Sequence, residues 1–361
     1  RLACQTKVIS GDVLVERLLA SNAEVNALQF ETIPVGIGEE RNLVVLFCDM
    51  RNFTTLSESQ TNFDMAHILN RFFTVMGDAV LMNNGLIYQY AGDEIVALFG
   101  VGSEDMERAG VDAIRAAISM TYAVQRLNKW DLKHFDANVD IGVGLHVGKL
   151  FVGNVGHPQH KQFAVIGDPI NITSRIQQKN RELKTHVLIS KQLYDVLPVN
   201  TVKLGKKSEV ALKGKSERFE LLEVLGFQQF DPNLEVQSTV DLLLKNETEF
   251  AASFYHRLFE ISPDIRELFP DQMDTQGMLL THMLRGIVTS LSRPEHLIAG
   301  IRHLGQQHTG YGVLPAHYDI VRDVLKELIA SKLGDDYTSN RKIAWENTID
   351  LILREMQNPL D

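Results

Sequence analysis

Residues 43–50 read LVVLFCDM, an apolar run that ends on an aspartate and a methionine. Such a run favours a buried strand. Residues 86–100, LIYQYAGDEIVALFG, alternate apolar and polar side chains on either side of Gly92, which predicts two further strands joined by a turn. Helical patterns cover residues 65–82 between these stretches and 105–128 after them. The order of strand, helix, two strands and helix predicts a sheet domain of the α/β or α+β class.

The composition changes beyond residue 230. Strand-like runs stop almost completely, and residues 239–357 read with a helical period that prolines interrupt at Pro263, Pro270, Pro294 and Pro315. A chain of 361 residues fits two domains at roughly 150 residues each. We therefore predict a sheet domain over residues 40–226 and an all-helical domain over residues 239–358, with residues 1–39 as a terminal remnant and linker.

Charge and cysteine content narrow the function classes. Lys and Arg number 36 against 46 Asp and Glu, a formal net charge of −10. The basic residues are scattered, which argues against a nucleic-acid partner. The two cysteines, Cys4 and Cys48, exclude a disulfide framework or a zinc site built on several thiolates, so the cytoplasm is the expected compartment. No apolar run approaches the ~20 residues of a membrane span, so no membrane partner is predicted.

Two aspartates mark a candidate metal site. Asp49 ends the first predicted strand, and Asp93 lies in the turn between the next two. A carboxylate at the end of a buried strand is costly to desolvate unless it is paired or binds a cation. Two such carboxylates on adjacent strands could hold two Mg2+ ions that clamp a triphosphate. The alternative is that Asp49 caps the following helix and Asp93 occupies a tight turn.

Amide and cationic side chains accompany these carboxylates. Residues 163–177, FAVIGDPINITSRIQ, place Asn171 and Arg175 four apart, hence on one face of a helix. The later stretch LKGK supplies Lys213 and Lys215. An amide, a guanidinium and an ammonium beside two carboxylates suit a pentavalent phosphorus centre with a pyrophosphate leaving group. For Lys215, a solvated surface role is at least as well supported.

Five segments together resemble the catalytic domains of class III nucleotidyl cyclases. They are FCDMRNFTTLSE, YAGDEIVALFG, VGLHVGKLFVGNVG, FAVIGDPINITSRI and LKGK. The resemblance covers about residues 40–225 and implies a ferredoxin-like α+β fold. It implies that Asp49 and Asp93 bind two Mg2+ or Mn2+ ions, with the Met50 carbonyl as a further ligand. It also implies catalytic roles toward the ribose, the reacting phosphate and the terminal phosphates for Asn171, Arg175 and Lys213, respectively.

The same resemblance implies a homodimer in which the metals of one subunit meet the Asn, Arg and Lys side chains of the other. It places base recognition at Gln89 and Ala164. Gln89 stands where adenine-specific members usually have lysine, and Ala164 stands where they commonly have Asp or Thr. A Gln side chain both donates and accepts hydrogen bonds, so adenine and guanine both stay open. ATP is favoured as the substrate, because the Glu and Cys pair typical of guanylate-forming relatives is also absent.

Three stretches of the second half resemble the globin fold over about residues 239–357. They are SFYHRLFEISPDIRELFP, DQMDTQGMLLTHMLRGIV and GIRHLGQQHTGYGVLPAHYDIV. The resemblance implies haem b, with His308 as the proximal iron ligand and Phe269 packed against haem. It implies that Tyr255 and Gln276 face the open iron position, where their hydrogen bonds would retain dioxygen, NO or CO. Two further histidines are assigned to the helix surface or to packing, His282 and His303.

The amino-terminal residues 1–18, RLACQTKVISGDVLVERL, resemble the closing segment of a plant-type [2Fe–2S] ferredoxin. Cys4 would be its last cluster ligand. One cysteine cannot hold such a cluster, so the resemblance implies a [2Fe–2S] redox domain upstream of this chain. The alternative is that Cys4 is an incidental residue of a linker.

These observations together indicate a haem-regulated, homodimeric cyclase that converts ATP into cyclic AMP and pyrophosphate. A guanylate cyclase is the alternative within the same class. The alternative from another class is a globin with redox or NO chemistry, attached to a cyclase domain that binds nucleotide without turnover. The intact set of Asp49, Asp93, Asn171 and Arg175 favours an active enzyme.

Overall fold

A computed structural model of the chain describes residues 38–358 apart from residues 134, 136, 158–159, 270–272 and 292–293. The described residues form two compact units, one ending at Asp231 and the other beginning at Pro232. The amino-terminal segment with Cys4, for which a ferredoxin-like remnant is expected, lies outside the described residues.

The first unit is built on one sheet. Its strands are β1 Glu39–Met50, β2 Leu86–Ala91, β3 Glu94–Phe99, β4 Ile141–His157, β5 His160–Ile166, β6 Val187–Ser190, β7 Val202–Ala211 and β8 Arg218–Phe227. Their order is β2-β3-β1-β4-β6-β8-β7, and β5 pairs with β4 outside this path. Strands β4 and β6 are parallel, and the other neighbours are antiparallel. The predicted strands and the α+β class are confirmed.

The helices of this unit are α1 Phe53–Ser59, α2 Asn62–Leu81, α3 Met106–Arg126, α4 Asp168–Leu183 and α5 Lys191–Val196. Helix α2 begins three residues before the predicted apolar pattern, because the Thr61 hydroxyl accepts a hydrogen bond from the Asp64 backbone N–H at 3.2 Å. Helix α3 begins after Asp105, whose carboxylate accepts from the Arg108 N–H at 2.9 Å. Polar caps therefore fix helix starts that apolar periodicity alone leaves imprecise.

Strand β1 is buried on both faces. On one face, Cys48 Sγ lies 3.9 Å from Met76 Sδ of α2. On the other, Val45 and Phe47 belong to an apolar cluster with Val96 and Leu150. The strand that carries Asp49 is therefore held in place by its own core residues.

Helix α4 packs unusually close to β4. A Cβ added to Gly144 would lie 2.4 Å from the Gln177 backbone nitrogen. Two amide side chains of α4 also donate to β4 carbonyls, Gln177 Nε2 to Gly142 at 3.2 Å and Asn180 Nδ2 to Val143 at 2.9 Å. This contact fixes the position of the helix that carries Asn171 and Arg175.

The second unit is all-helical, as predicted. Its α-helices are α6 Pro232–Gln237, α7 Val240–Leu243, α8 Glu247–Ile261, α9 Asp274–Ser290, α10 Pro294–Gly310, α11 Pro315–Leu333 and α12 Ser339–Gln357. Helix α6 lies within residues 227–238, which the sequence analysis leaves as the connection between domains. The Trp345 indole is buried and donates to Thr239 Oγ1 at 2.9 Å. No helix in the described part of the chain has the length and apolar character needed to cross a bilayer.

We expect Gly144→Ala to lower the free energy of unfolding of the first unit by about 1–3 kcal/mol, because the added methyl group meets helix backbone that cannot move without disturbing α4. The matched control is Gly102→Ala, whose added Cβ has no atom within 4 Å. Urea unfolding of the full chain, followed by circular dichroism, measures both changes. Equal shifts for the two variants would contradict the close-packing argument.

Candidate functional site

The two predicted metal-binding aspartates lie side by side. Asp49 is the penultimate residue of β1, and the β1–β3 register sets it opposite Glu94. Asp93 precedes Glu94 in the β2–β3 turn, where Gly92 adopts a φ of 64°. Burial of Asp49, a hydrogen bond with Asp93 and the Asp93 charge together raise the pKa of Asp49 to about 7. Two carboxylates crowded in this way favour a proton or a cation between them.

Glu94 is a third carboxylate that the sequence analysis missed. Burial, followed by the charge of Asp93, raises its pKa to about 7. The residue reads as an ordinary polar strand position, and its importance comes from the register that sets it opposite Asp49. The signal in the sequence is the acidic pair at residues 93–94, directly at the start of a strand.

The carboxylate pair fits a hard divalent cation. Within the described residues, no group of three or more His, Cys, Asp or Glu side chains is arranged to hold a metal ion. Mg2+ needs no such cluster, because it usually binds one or two carboxylates together with substrate phosphates and water. Met50 follows Asp49, and a hydrogen bond from its backbone N–H partly counters the rise in the Asp49 pKa. The role of the Met50 carbonyl as a ligand stays a prediction.

Asn171 and Arg175 lie one turn apart on α4. Asn171 is exposed and Arg175 is half-buried. The Arg175 guanidinium reaches the turn after β7, where a Cβ added to Gly214 would lie 3.7 Å from Nη2. Lys213, exposed, precedes this glycine. The structure thus gathers the guanidinium and the lysine-bearing turn into one cationic region.

Lys215 has a partner within the chain. Its ammonium forms a salt bridge with Asp168 at the start of α4. The contact links the β7–β8 turn to the helix that carries Arg175. A role in holding this turn therefore accounts for Lys215 better than the solvated surface position or the phosphate contact considered from the sequence.

The cationic region and the carboxylate pair are apart in one chain. Asp49 lies opposite Gly142 of β4, and α4 packs along β4 with Gln177, two residues after Arg175, against Gly144, so the separation lies mainly across the strands. The turn reached by Arg175 follows β7 and precedes β8, and β8 is separated from β1 by β4 and β6. At about 4.8 Å between strands, the sideways separation is roughly 14 Å.

The two predicted base-recognition positions lie on neighbouring segments. Gln89 is exposed on β2, and Ala164 is half-buried on β5. The residues next to them are joined, because the Val165 backbone N–H donates to the Tyr88 hydroxyl at 3.2 Å. Tyr88 was not predicted from the sequence, since its partner is a backbone group that no sequence pattern reveals.

The predicted proximal histidine is buried and bonded to a carbonyl of its own helix. His308 lies in the last turn of α10, and its Nδ1 lies 2.8 Å from the Leu304 carbonyl oxygen. Burial lowers the pKa of His308, so the ring is neutral at pH 7. With Nδ1–H donating to the carbonyl, Nε2 keeps its lone pair, which is the arrangement of a histidine that ligates iron.

The predicted distal residues lie together. The Tyr255 hydroxyl donates to the Gln276 backbone carbonyl at 3.3 Å. The Tyr255 ring lies 5.4 Å from that of Phe269 and 5.9 Å from that of Phe259, between centroids. Burial raises the pKa of Tyr255 to about 12, so the hydroxyl keeps its proton and remains a hydrogen-bond donor. An aromatic wall with one polar donor fits haem and a bound diatomic gas.

The other two histidines have different surroundings. His282 is exposed on α9. His303 lies on α10, and its Nε2 lies 3.1 Å from Nε2 of Gln307. The side chains of His303 and Gln307 are therefore partners one turn apart on the same helix.

Comparison with known families identifies both halves of the chain. The family described as adenylate and guanylate cyclase catalytic domain matches residues 36–228. The globin family matches residues 252–356. The two matches fall on the sheet unit and the helical unit, respectively.

Individual relatives match the first half. An adenylate cyclase of Anabaena cylindrica is 32% identical over 203 residues, which is 54% of this chain and 39% of the relative. A terminal-differentiation specific adenylate cyclase of Dictyostelium discoideum is 25% identical over 65% of this chain and 11% of its own length. The chain thus matches less than half of either relative.

Solved structures also resemble this half. The guanylyl cyclase Cya2 has a TM-score of 0.49 at 25% identity and covers 53% of this chain and 94% of its own. The adenylyl cyclase CyaB from P. aeruginosa has a TM-score of 0.48 at 25% identity and covers 53% of this chain and 96% of its own.

Proposed function

Because the chain belongs to the family of adenylate and guanylate cyclase catalytic domains and carries a globin domain after it, we propose that it is a haem-regulated adenylate cyclase. In the reaction, the ribose 3′-oxygen bonds to the α-phosphorus, the bond to pyrophosphate breaks and the 3′-hydroxyl proton leaves. The observation that carries the proposal is the crowded Asp49–Asp93 pair: burial, then the hydrogen bond and charge of Asp93, raise the pKa of Asp49 to about 7. A cation would relieve that crowding.

Each candidate residue has one task in this reaction. Asp49 and Asp93 would hold Mg2+ or Mn2+, which supplies charge neutralisation at the triphosphate and lowers the pKa of the attacking oxygen. Arg175 stabilises the negative charge that develops on the reacting phosphate. The roles of Asn171 toward the ribose and Lys213 toward the terminal phosphates rest on the family resemblance.

We further propose that the active enzyme is a homodimer. In one chain the turn reached by Arg175 lies roughly 14 Å sideways from the strand that carries Asp49, by the spacing of three strands. That separation exceeds the reach of an arginine side chain. In a symmetric dimer, the carboxylates of one subunit meet Asn171, Arg175 and Lys213 of the other, and two equivalent sites result.

The globin domain would regulate this site. Tyr255 keeps its hydroxyl proton and His308 keeps a neutral ring, so both would suit a haem that binds dioxygen, NO or CO. A ligand that favours one of two subunit arrangements by about 1–3 kcal/mol changes activity roughly 5- to 150-fold. The helical unit therefore suits a sensor attached to a catalytic domain.

The shared site is tested by mixing inactive variants. Asp49→Ala and Arg175→Ala should each abolish turnover, because each removes one half of both sites. Mixed dimers of the two should recover activity, since one complete site is restored. Cyclic AMP and cyclic GMP are measured from ATP and GTP. The control mixture is Asp49→Ala with Asp93→Ala, which damages the same half and should stay inactive. Recovery in the control mixture, or none in demonstrated mixed dimers, would contradict the shared site.

Metal affinity should depend on pH. The metal-free Asp49 has a pKa of about 7, raised first by burial and then by Asp93, so a bound cation must displace a proton at lower pH. We expect apparent Mg2+ affinity to rise from pH 6 to pH 8 and then to level off. Calorimetry in two buffers of different ionisation enthalpy should record proton release at pH 6 and little at pH 8. Constant affinity and no proton release over this range would reject Asp49 as a ligand.

Haem binding is tested at two histidines of one helix. His308→Ala should lose the haem absorption band and make turnover independent of dioxygen, CO and NO, because the iron ligand is removed. His303→Ala, five residues earlier on the same helix, should keep both haem and gas response. The regulatory proposal fails if wild-type protein with stoichiometric haem turns over at one rate in its ferric, ferrous and gas-bound forms.

A further inference from the structure

Strand β2 contains an irregularity directly beside Gln89. Ile87 pairs with Ala97, and Gln89 pairs with Val96, so Tyr88 is an extra residue between the two pairs. This is a β-bulge, in which two consecutive residues oppose one position of the partner strand. Bulges change the direction of side chains within a strand.

The bulge gives Tyr88 and Gln89 the same face of the sheet. Tyr88 packs against the apolar cluster that contains Val96, and Gln89 lies directly opposite Val96. The next residue, Tyr90, lies on the other face, where its ring is 4.5 Å from that of Phe73 in α2. Without the extra residue, Tyr88 and Gln89 would point to opposite faces.

Tyr88 also reaches the strand that carries Ala164. Its hydroxyl accepts a hydrogen bond from the Val165 backbone N–H at 3.2 Å. Its ring lies edge-on to Phe163, at 6.1 Å between centroids. Phe163 and Val165 are the two neighbours of Ala164 in the chain. Tyr88 therefore contacts the residues on both sides of Ala164, and it directly precedes Gln89 in the chain.

We propose that Tyr88 is a positioning residue for purine selection, which fixes Ala164 and its backbone relative to Gln89. The proposal rests on the proposed cyclase function. Ala164 has no polar side-chain atom, so β5 can offer a purine only backbone groups at this position. The location of those groups depends on the hydrogen bond and the ring contact made by Tyr88. Adenine and guanine differ in their donors and acceptors, so a shift of β5 against Gln89 changes which base pairs well.

The test is Tyr88→Phe in the full chain, with kcat and KM measured for ATP and GTP. The ring and its packing remain, so the fold should persist and thermal unfolding should shift only by the small amount that loss of one hydrogen bond to the Val165 N–H causes. The ratio of the two kcat/KM values should move toward one, on the order of three- to tenfold, as expected for loss of one neutral hydrogen bond. The change should appear mainly in KM, because Tyr88 does not contact the reacting phosphate.

Tyr90→Phe is the matched control, because it deletes the same hydroxyl group from the same strand on the opposite face. In Tyr90→Phe, the ratio of the kcat/KM values for ATP and GTP should equal that of the wild type. A wild-type ratio of one, an unchanged ratio in Tyr88→Phe, or an equal loss for both nucleotides would each overturn the proposal.

A test in the Gln89→Ala variant separates a positioning role of Tyr88 from general structural support. In Gln89→Ala, the effect of Tyr88→Phe on the ratio should vanish, because the residue against which β5 is positioned is gone. An effect of the same size in both backgrounds would contradict the proposal.

Nucleotide-binding measurements distinguish failure of the proposed cyclase function from failure of the proposal for Tyr88. If wild-type protein forms no cyclic product from either nucleotide, the cyclase proposal is rejected. The ratio of dissociation constants for methylanthraniloyl-labelled ATP and GTP then replaces the kinetic ratio, and the same variants decide the role of Tyr88.

Discussion

The pairing register of β1 determines the rest of the sheet unit. This strand lies between β3 and β4, and it sets Asp49 opposite Glu94 on one side and Gly142 on the other. A slip of one residue would move every side chain of β1 to the opposite face. The carboxylates would then separate, and the apolar cluster that includes Val45 and Phe47 would lose its packing. The core of β1 and the candidate metal site therefore depend on the same register.

Much of the fold follows from local patterns in the sequence. The apolar run at residues 43–50, the alternation around Gly92 and the helical periods each report structure within one segment. The candidate residues on these segments, such as Asp49 and Asp93, follow with them. Features that depend on pairing between distant segments do not follow from such local patterns. Glu94 gains its importance from the strand opposite it, and Lys215 from Asp168, 47 residues earlier.

The bulge at Tyr88 was also beyond prediction, for a related physical reason. Its sequence alternates as a regular strand would, and only the pairing with β3 shows the extra residue. In the helical unit, the histidine was predictable but its carbonyl acceptor was not. The bond from His308 to Leu304 joins residues one helical turn apart, where a side chain competes with the ordinary backbone pattern. Pairing between strands, contacts between distant side chains and side-chain contacts with backbone groups thus account for what the sequence did not reveal.

The buried Trp345 has a practical consequence for optical work. The chain contains two tryptophans, Trp130 in the sheet unit and Trp345 in the helical unit. Replacing Trp130 with phenylalanine leaves an emission signal that comes from the helical unit alone. A haem bound in this unit would absorb in the range where an indole emits, so resonance energy transfer would dim Trp345 as the cofactor enters. The intrinsic fluorescence of the protein thus offers a label-free reporter of the globin domain.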